Sequence, residues 1–449
     1  MAATRIILIL EDNDERIAAF QRTTVTLGYG IEVKVWKDAP SMMAECGTFF
    51  PTAALISLDH DLNPAPGATV DPGTGVDVAR FLGDFMPVCP VLIHSSNTDR
   101  VYSMHTELRF AGWMADHVGP LGADWVETSW LRRARELLAE HPNTWRAKLP
   151  SDRAARVERM KLSLDGLGLG DALGEMLSYQ AQAAPNRLAE NSLPGGPWFH
   201  TDDTEMAISM MAVLKSYGFI HQDALAKRFA RRFERDPDRG YGSMTRIQLR
   251  EIMAGANWRD TAANAFGGQG SMGNGSAMRV APLGAYFAED LDRCVEQARA
   301  SSLVTHTHPE AVAGAVAVAV AAAMAWQLRT DTKTDHARRF FDAVLRHTPE
   351  SRVCRGILLA STTPSESPVT DVARALGNGS LVTAPDTVPF CLWIAAHHLN
   401  RLVDALGRTI SVGGDCDTNA AIVGGIVALS AGGESIPADW LQAREPIQI

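Results

Sequence analysis

The hydrophobic rhythm of the chain changes once, near residue 141, and that single change restricts it to two units of unlike architecture. Before it, short apolar runs at 6–10, 31–36, 53–58 and 88–94 alternate with helix-like segments such as 15–27 and 75–85. Such alternation predicts a doubly wound parallel sheet, an α/β unit over residues 1–140. A polar, charged stretch at 141–155 interrupts the strand rhythm and reads as a linker. From 156 to 449 strand signals almost vanish, and long amphipathic or wholly apolar segments predict an all-α unit, an orthogonal helical bundle. Two domains of unequal size also suit a length of 449 residues.

A hydrophobic fraction of 46% beside 21% charge lets most of the chain bury a core. The net charge of -10 argues against a general nucleic-acid grip, which needs clustered Lys and Arg against phosphates. A small anion is still within reach, since helix N-termini bind phosphate without net positive charge. Six scattered cysteines form no C-x-x-C pair, so reduced thiols and a cytoplasmic setting are expected. The apolar run at 6–10 leads straight into Glu11 and Asp12, which suits a buried strand and not a signal peptide. Residues 311–328 are apolar and long enough to cross a bilayer. Alanine and glycine dominate them, with no anchoring residues at both ends, so a core helix and no membrane association are expected.

Two acidic clusters carry the chemistry of the second unit. In HTDDTEMAISMMAVLKSYG, Thr201, Asp202 and Asp203 stand at a helix start. A cap requires one such residue, and three oxygen-bearing side chains in succession crowd negative charge unless a cation compensates. In SVGGDCDTNAAIVGGIVALSAGG, Asp415, Asp417 and Thr418 again precede a helix, this one apolar on most faces. Capping accounts for either cluster by itself. If they face each other, the hard oxygens suit two Mg²⁺ or Mn²⁺ ions able to orient water and polarise a leaving group.

Two further segments supply ligand contacts. FGGQGSMGNGSAMRVAPLG sets Gly270, Gly273 and Gly275 around Ser271 and Asn274, followed by Met278 and Arg279, and such a loop lets backbone amides approach phosphate. It has neither Rossmann nor Walker spacing. LVTHTHPEAVAGA places His306 and His308 before the alanine-rich helix, as a cap, a packed ring or a ligand contact.

These four segments, with LDGLGLGDALG at 164–174, follow the order and wording of the ADP-ribosylglycohydrolase family, which the chain resembles from about 156 to 440. The resemblance implies an orthogonal all-α bundle with a binuclear Mg²⁺ (or Mn²⁺) centre. The implied reaction is hydrolysis at C1″ of the distal ribose of an ADP-ribosylated protein or a small ADP-ribose derivative. It makes Thr201, Asp202, Asp203, Asp415, Asp417 and Thr418 metal ligands, with Asp202, Asp203 and Asp415 catalytic. Gly270, Ser271, Gly273, Asn274, Gly275, Met278 and His306 would line the substrate. Where many members carry a metal-closing glutamate, this chain has Ser178, and Glu175 lies one helical turn earlier.

In the first unit, polar groups follow three strands: Glu11 and Asp12, then Asp59, His60 and Asp61, then His94, Ser95 and Asn97. Parallel sheets bind ligands at their carboxyl strand ends, although acidic residues there also cap helices. The pattern resembles a receiver domain. SLDHDL, GTGVDVARFL and VLIHSSN are similar to the variant associated with nucleotide cyclic phosphates such as ADP-ribose 1″,2″-cyclic phosphate. Histidine is the side-chain type that titrates near neutrality, so His60 and His94 are read as candidates for an acid and a base. Processing and sensing are both open for this unit, and for the whole chain an ADP-ribose-binding regulator without turnover, or a two-metal phosphatase, stands as the alternative.

Overall fold

The computed structural model describes residues 5–27, 30–64, 71–85, 87–111, 113–140, 152–332 and 335–447. The chain divides into two compact units, Met1–Leu149 and Pro150–Ile449. Of the segment read as a linker, residues 141–151 lie outside the described residues, and 153–155 form the first turn of a helix.

The first unit is a five-stranded parallel sheet in the order β2-β1-β3-β4-β5. Its elements are β1 (Arg5–Leu10), α1 (Asp14–Thr24), β2 (Ile31–Trp36), α2 (Ala39–Glu45), β3 (Ala53–Leu58), α3 (Gly75–Gly83), β4 (Val91–Ile93), α4 (Thr98–Phe110), β5 (Ala115–His117) and α5 (Leu131–Glu140). Every residue of β3 is buried, as a central strand covered on both faces requires. The side chain of Asn13 caps α1, and Thr74 and Asp77 close a capping box on α3. Two details depart from the sequence pattern. β4 begins at Val91 and not at 88, because Pro90 has no N–H to give a ladder. β5 has only three half-buried residues, too few for an alternation to register.

The second unit is helical throughout. It contains α6 (Arg153–Leu177), α7 (Ala184–Ala189), α8 (Asp202–Tyr217), α9 (Gln222–Arg235), α10 (Ser243–Met253), α11 (Trp258–Gly268), α12 (Ala281–Tyr286), α13 (Leu291–Leu303), α14 (Pro309–Leu328) and α15 (His336–His347). They are followed by α16 (Arg352–Thr362), α17 (Val369–Leu376), α18 (Ala384–His397), α19 (Leu402–Ser411), α20 (Cys416–Ala431) and α21 (Ala438–Ala443). The alanine-rich α14 is a core helix, buried against its neighbours.

The axis of this unit is the pair α6 and α20, and glycine spacing explains how they meet. Gly166, Gly170 and Gly174 recur every four residues and so share one face of α6. A Cβ on Gly170 would stand 2.0 Å from the Ala420 carbonyl oxygen, and on Gly166 2.4 Å from that of Gly424. The two backbones therefore touch, and this contact brings the start of α20 beside the middle of α6 and the start of α8.

Candidate active site

The two acidic clusters lie at the N-termini of α8 and α20 and converge on one cavity of about 590 Å³. Its walls include Asp202, Asp203, Asp415, Asp417 and Thr418, together with Gly270, Ser271, Gly273, Asn274, Gly275, Met278 and His306. Of the expected metal-binding and substrate-lining residues, Thr201 does not line the cavity, and neither do Glu175 and Ser178. Thr201 caps α8, and its hydroxyl donates to Asp203 Oδ2 at 3.1 Å. The Thr418 hydroxyl reaches the same oxygen from α20 at 3.5 Å, which joins the clusters.

A residue the sequence reading passed over holds this arrangement. Asp171, in the middle of α6, accepts hydrogen bonds from the Thr201 and Thr204 amides at 3.0 and 3.1 Å and from the Thr204 hydroxyl at 2.5 Å. It thus fixes the first turn of α8 to α6. Its signal was a carboxylate set between Gly170 and Gly174 in the buried stretch of α6, since an unsatisfied charge there is prohibitive.

The electrostatics are those of a surplus of negative charge. Burial raises Asp202 and Asp203 well above the ordinary carboxylate range, and the charges of Asp171 and Asp417 add to it. Burial and then Asp417 push Asp415 up to about 7 and Asp171 to about 6. Asp203 Oδ1 is buried without a hydrogen-bond partner. Asn274 donates to Asp415 Oδ2 at 2.6 Å, which anchors the glycine-rich loop to the second cluster.

Arg279 shapes that loop from beneath. Fully buried, it donates to the Gly275 and Ser301 carbonyls and to Thr305 Oγ1, and stacks 4.5 Å from the Phe229 ring centre. Thr305 Oγ1 in turn contacts His306 Nδ1 at 2.7 Å. Burial, then the Arg279 charge, lower His306 to about 3, so the ring is neutral as it supports Gly273 and Gly275. Phe266 and Val382 sit on the cavity rim, exposed, with φ of 52° at each. A positive φ is costly for such side chains and is characteristic of binding sites. Glu175 is exposed on α6 with its carboxyl raised by partial burial and by Asp417. The Ser178 hydroxyl bonds back to the Glu175 carbonyl at 2.9 Å.

Residues 152–448 match the family described as ADP-ribosylglycohydrolase. The chain belongs to the ADP-ribosylglycohydrolase family. The ADP-ribosylhydrolase ARH3 of Xenopus tropicalis is 31% identical to it over 328 residues, 65% of this chain and 92% of that protein. The human ARH3 is 27% identical over 342 residues, covering 65% of this chain and 90% of that protein. The ADP-ribosylarginine hydrolase Tri1 of Serratia proteamaculans is 24% identical over 300 residues, 64% of this chain and 75% of that protein. The family match at 152–448 falls on the helical unit of this ADP-ribosylglycohydrolase family member.

In the first unit the structure gathers some of the expected residues and separates others. Glu11, Asp59 and His94 are buried at the carboxyl ends of β1, β3 and β4, with ligand atoms within 4.8 Å of one another. Burial raises Asp59 to about 6, and the neighbouring Glu11 carboxylate adds to it. Asp12 turns away and accepts the Asn63 amide and side chain at 2.8 and 2.9 Å. His60 is buried on the Asp59 backbone, and burial lowers its pKa. Its Nε2 lies 3.6 Å from the largely exposed Asp61. Ser95 and Asn97 serve their own turn, the former accepting the Asn97 amide and the latter capping α4.

Proposed function

We propose that the helical unit hydrolyses the C1″ glycosidic bond of ADP-ribosylated substrates, on a protein side chain or as O-linked ADP-ribose, using two divalent cations, Mg²⁺ or Mn²⁺. The observation that carries this is the meeting of two carboxylate clusters at one cavity, with Asp203 Oδ1 buried and unpaired. The donor set is all hard oxygen, which suits such ions and compensates the repulsion that otherwise protonates the carboxylates. Thr201, Asp202, Asp203, Asp415, Asp417 and Thr418 would hold them. Bound there, the cations supply an acidified water and polarise ribose hydroxyls.

The chain's own groups do the rest. The loop from Gly270 to Gly275 offers backbone amides to the diphosphate, and the neutral His306 holds that loop in place without adding charge. One of Asp202, Asp203 and Asp415 orients the attacking water and takes its proton as the new bond to C1″ forms and the bond to the leaving group breaks, the proton passing on to the leaving group. Glu175, an exposed carboxylate of α6 that feels the charge of Asp417, takes the part of the closing acid that Ser178 lacks.

For the first unit we propose a receiver-like domain that processes or senses a nucleotide cyclic phosphate such as ADP-ribose 1″,2″-cyclic phosphate. Support comes from the strand order, in which β1 and β3 flank the switch point where open parallel sheets bind ligands. Glu11, Asp59 and His94 end the strands at that point.

A second reading, an ADP-ribose binder without turnover, draws on Ser178 alone. ADP-ribosylated arginine and serine peptides, O-linked ADP-ribose and the cyclic phosphate, each offered with Mg²⁺, separate the two. Release of ADP-ribose supports hydrolysis, and binding without release replaces it with the regulator.

A further inference from the structure

We propose that Glu445, in the segment that follows α21, is a positioning residue of the glycohydrolase site: through Arg239 it fixes the loop that holds Asp202 in place. Glu445 lies outside the cavity walls, and its role there rests on the hydrolase proposal for that site.

A helix leaves its first amides without partners inside the helix. At the start of α8, Asp171 takes the amides of Thr201 and Thr204, and the Thr201 hydroxyl takes that of Asp203 at 3.4 Å. The Asp202 amide goes elsewhere, donating to the Arg239 carbonyl at 2.6 Å. Arg239 stands in the loop between α9 and α10, where Gly240 and Gly242 line the cavity. A Cβ on Gly240 would lie 3.5 Å from Asp202 Oδ1, so this loop abuts the carboxylate as well as the amide.

The Arg239 guanidinium fixes the loop. Its Nη1 and Nη2 donate to Glu445 Oε2 and Oε1 at 2.6 and 2.7 Å, and its Nε donates to Asp236 at 2.6 Å. Nη1 also donates to the His200 carbonyl at 2.9 Å. One side chain thus joins its own loop, the residue before Thr201 and the segment after α21. A two-bond contact between arginine and carboxylate fixes direction as well as distance. The two side chains are only 16% and 20% exposed, so water and salt screen the pair little. Hydrogen bonding to Arg239 holds the Glu445 carboxyl below its usual range.

The competing explanation is that Glu445 merely ties its segment to the bundle. That segment has anchors of its own. The Ala443 carbonyl accepts from the Trp198 amide at 2.7 Å, and the Glu445 amide donates to the Trp198 carbonyl at 2.9 Å. Arg444, itself buried, donates to the Asp165 carbonyl and Oδ1 at 3.2 and 3.1 Å. None of these bonds needs the Glu445 carboxylate. Its two oxygens go to Arg239, with Oε2 also facing His200 Nδ1 at 3.4 Å. Residues that orient ligands are as much a part of a metal site as the ligands themselves. Asp171 does this from α6, and Glu445 does it through Arg239.

Hydrogen–deuterium exchange of the metal-free full chain tests this without any turnover. In Glu445→Gln, whose amide oxygen replaces only one of the two acceptors, exchange of peptides within 199–206 is expected to rise about tenfold, with α14 unchanged. Arg239→Lys, which keeps the charge and loses the fork, is expected to do the same. Asp165→Asn loosens the other anchor of the segment and is the control, expected to leave those peptides as in the wild type. With Mg²⁺ added, the concentration that half-saturates ADP-ribose release should rise about tenfold or more in Glu445→Gln, a larger change than in kcat at saturating Mg²⁺. Wild-type exchange at 199–206 in both Glu445→Gln and Arg239→Lys overturns the inference. An equal rise in Asp165→Asn also overturns it, by making the segment an ordinary tether. A fall in kcat with the Mg²⁺ requirement unchanged overturns the link to the metal-binding cluster. If the wild type releases no ADP-ribose, the hydrolase proposal falls, and the exchange result alone decides whether Glu445 holds the first turn of α8.

Discussion

Replacing Gly170 by alanine tests whether the contact of α6 with α20 builds the active site. Alanine in a helix interior is worth about 0.8–1.0 kcal/mol more than glycine, so propensity alone predicts a more stable protein. The structure predicts the reverse. The new Cβ would stand 2.0 Å from the Ala420 oxygen and 2.5 Å from its carbonyl carbon, and backbone cannot rotate aside. Moving from 2.0 Å to the 3.4 Å of ordinary contact parts the helices by roughly 1.4 Å. Overpacking of this kind costs about 1–3 kcal/mol or more, and a backbone obstacle belongs at the upper end. The net loss is then about 2 kcal/mol, a fall of roughly 4 °C or more in the calorimetric transition of the helical unit. Gly168→Ala is the control: the three atoms nearest its Cβ would all be side-chain atoms, of Ile447, Arg444 and Thr204, at 3.0–3.3 Å, and none of them backbone. Gly170→Ala should also weaken Mg²⁺ binding, because Asp171 and Asp415 move apart. A Gly170→Ala protein as stable as Gly168→Ala would refute the reasoning.

Three other outcomes follow from the site. Stripped of metal, the folded protein binds more protons than the unfolded chain between about pH 4 and about pH 7, since Asp171 and Asp415 titrate at about 6 and about 7. Its stability therefore falls as pH rises through that window, and saturating Mg²⁺ should flatten the fall in a denaturant titration. Arg279→Lys keeps a charge but loses the fork that joins Gly275, Ser301 and Thr305, so KM for an ADP-ribosylated peptide should rise about tenfold, with a smaller effect on kcat. Glu175→Gln should lower kcat by at least about tenfold while Ser178→Ala leaves it near wild type; equal effects would remove Glu175 from the reaction.

Much of this was legible in the chain because the relevant signals are local. The run from Ala53 to Leu58 matches its strand to the residue, since a central strand must be apolar on both faces. Both acidic clusters were visible as oxygen-bearing side chains packed together at helix starts. Asp171 was not, because its importance lies in the amides of Thr201 and Thr204, some thirty residues away. The division of Glu11 from Asp12 was equally hidden: adjacent residues of a strand end point to opposite sides, and only the position of Asn63 shows where Asp12 goes. Phe266 and Val382, exposed apolar residues in strained backbone, carry no sequence mark that distinguishes them from other loop positions.

As proposed above, Asp415 and its partners form a metal-dependent hydrolytic centre for ADP-ribose linkages. The most direct measurement is release of ADP-ribose from an ADP-ribosylated peptide by the full chain, with Mg²⁺, after chelation, and in Asp415→Ala. Release with Mg²⁺ that is lost on chelation, restored by Mg²⁺ and at least about a hundredfold lower in Asp415→Ala is the predicted result. Undiminished release in the chelated protein and in the variant would contradict it.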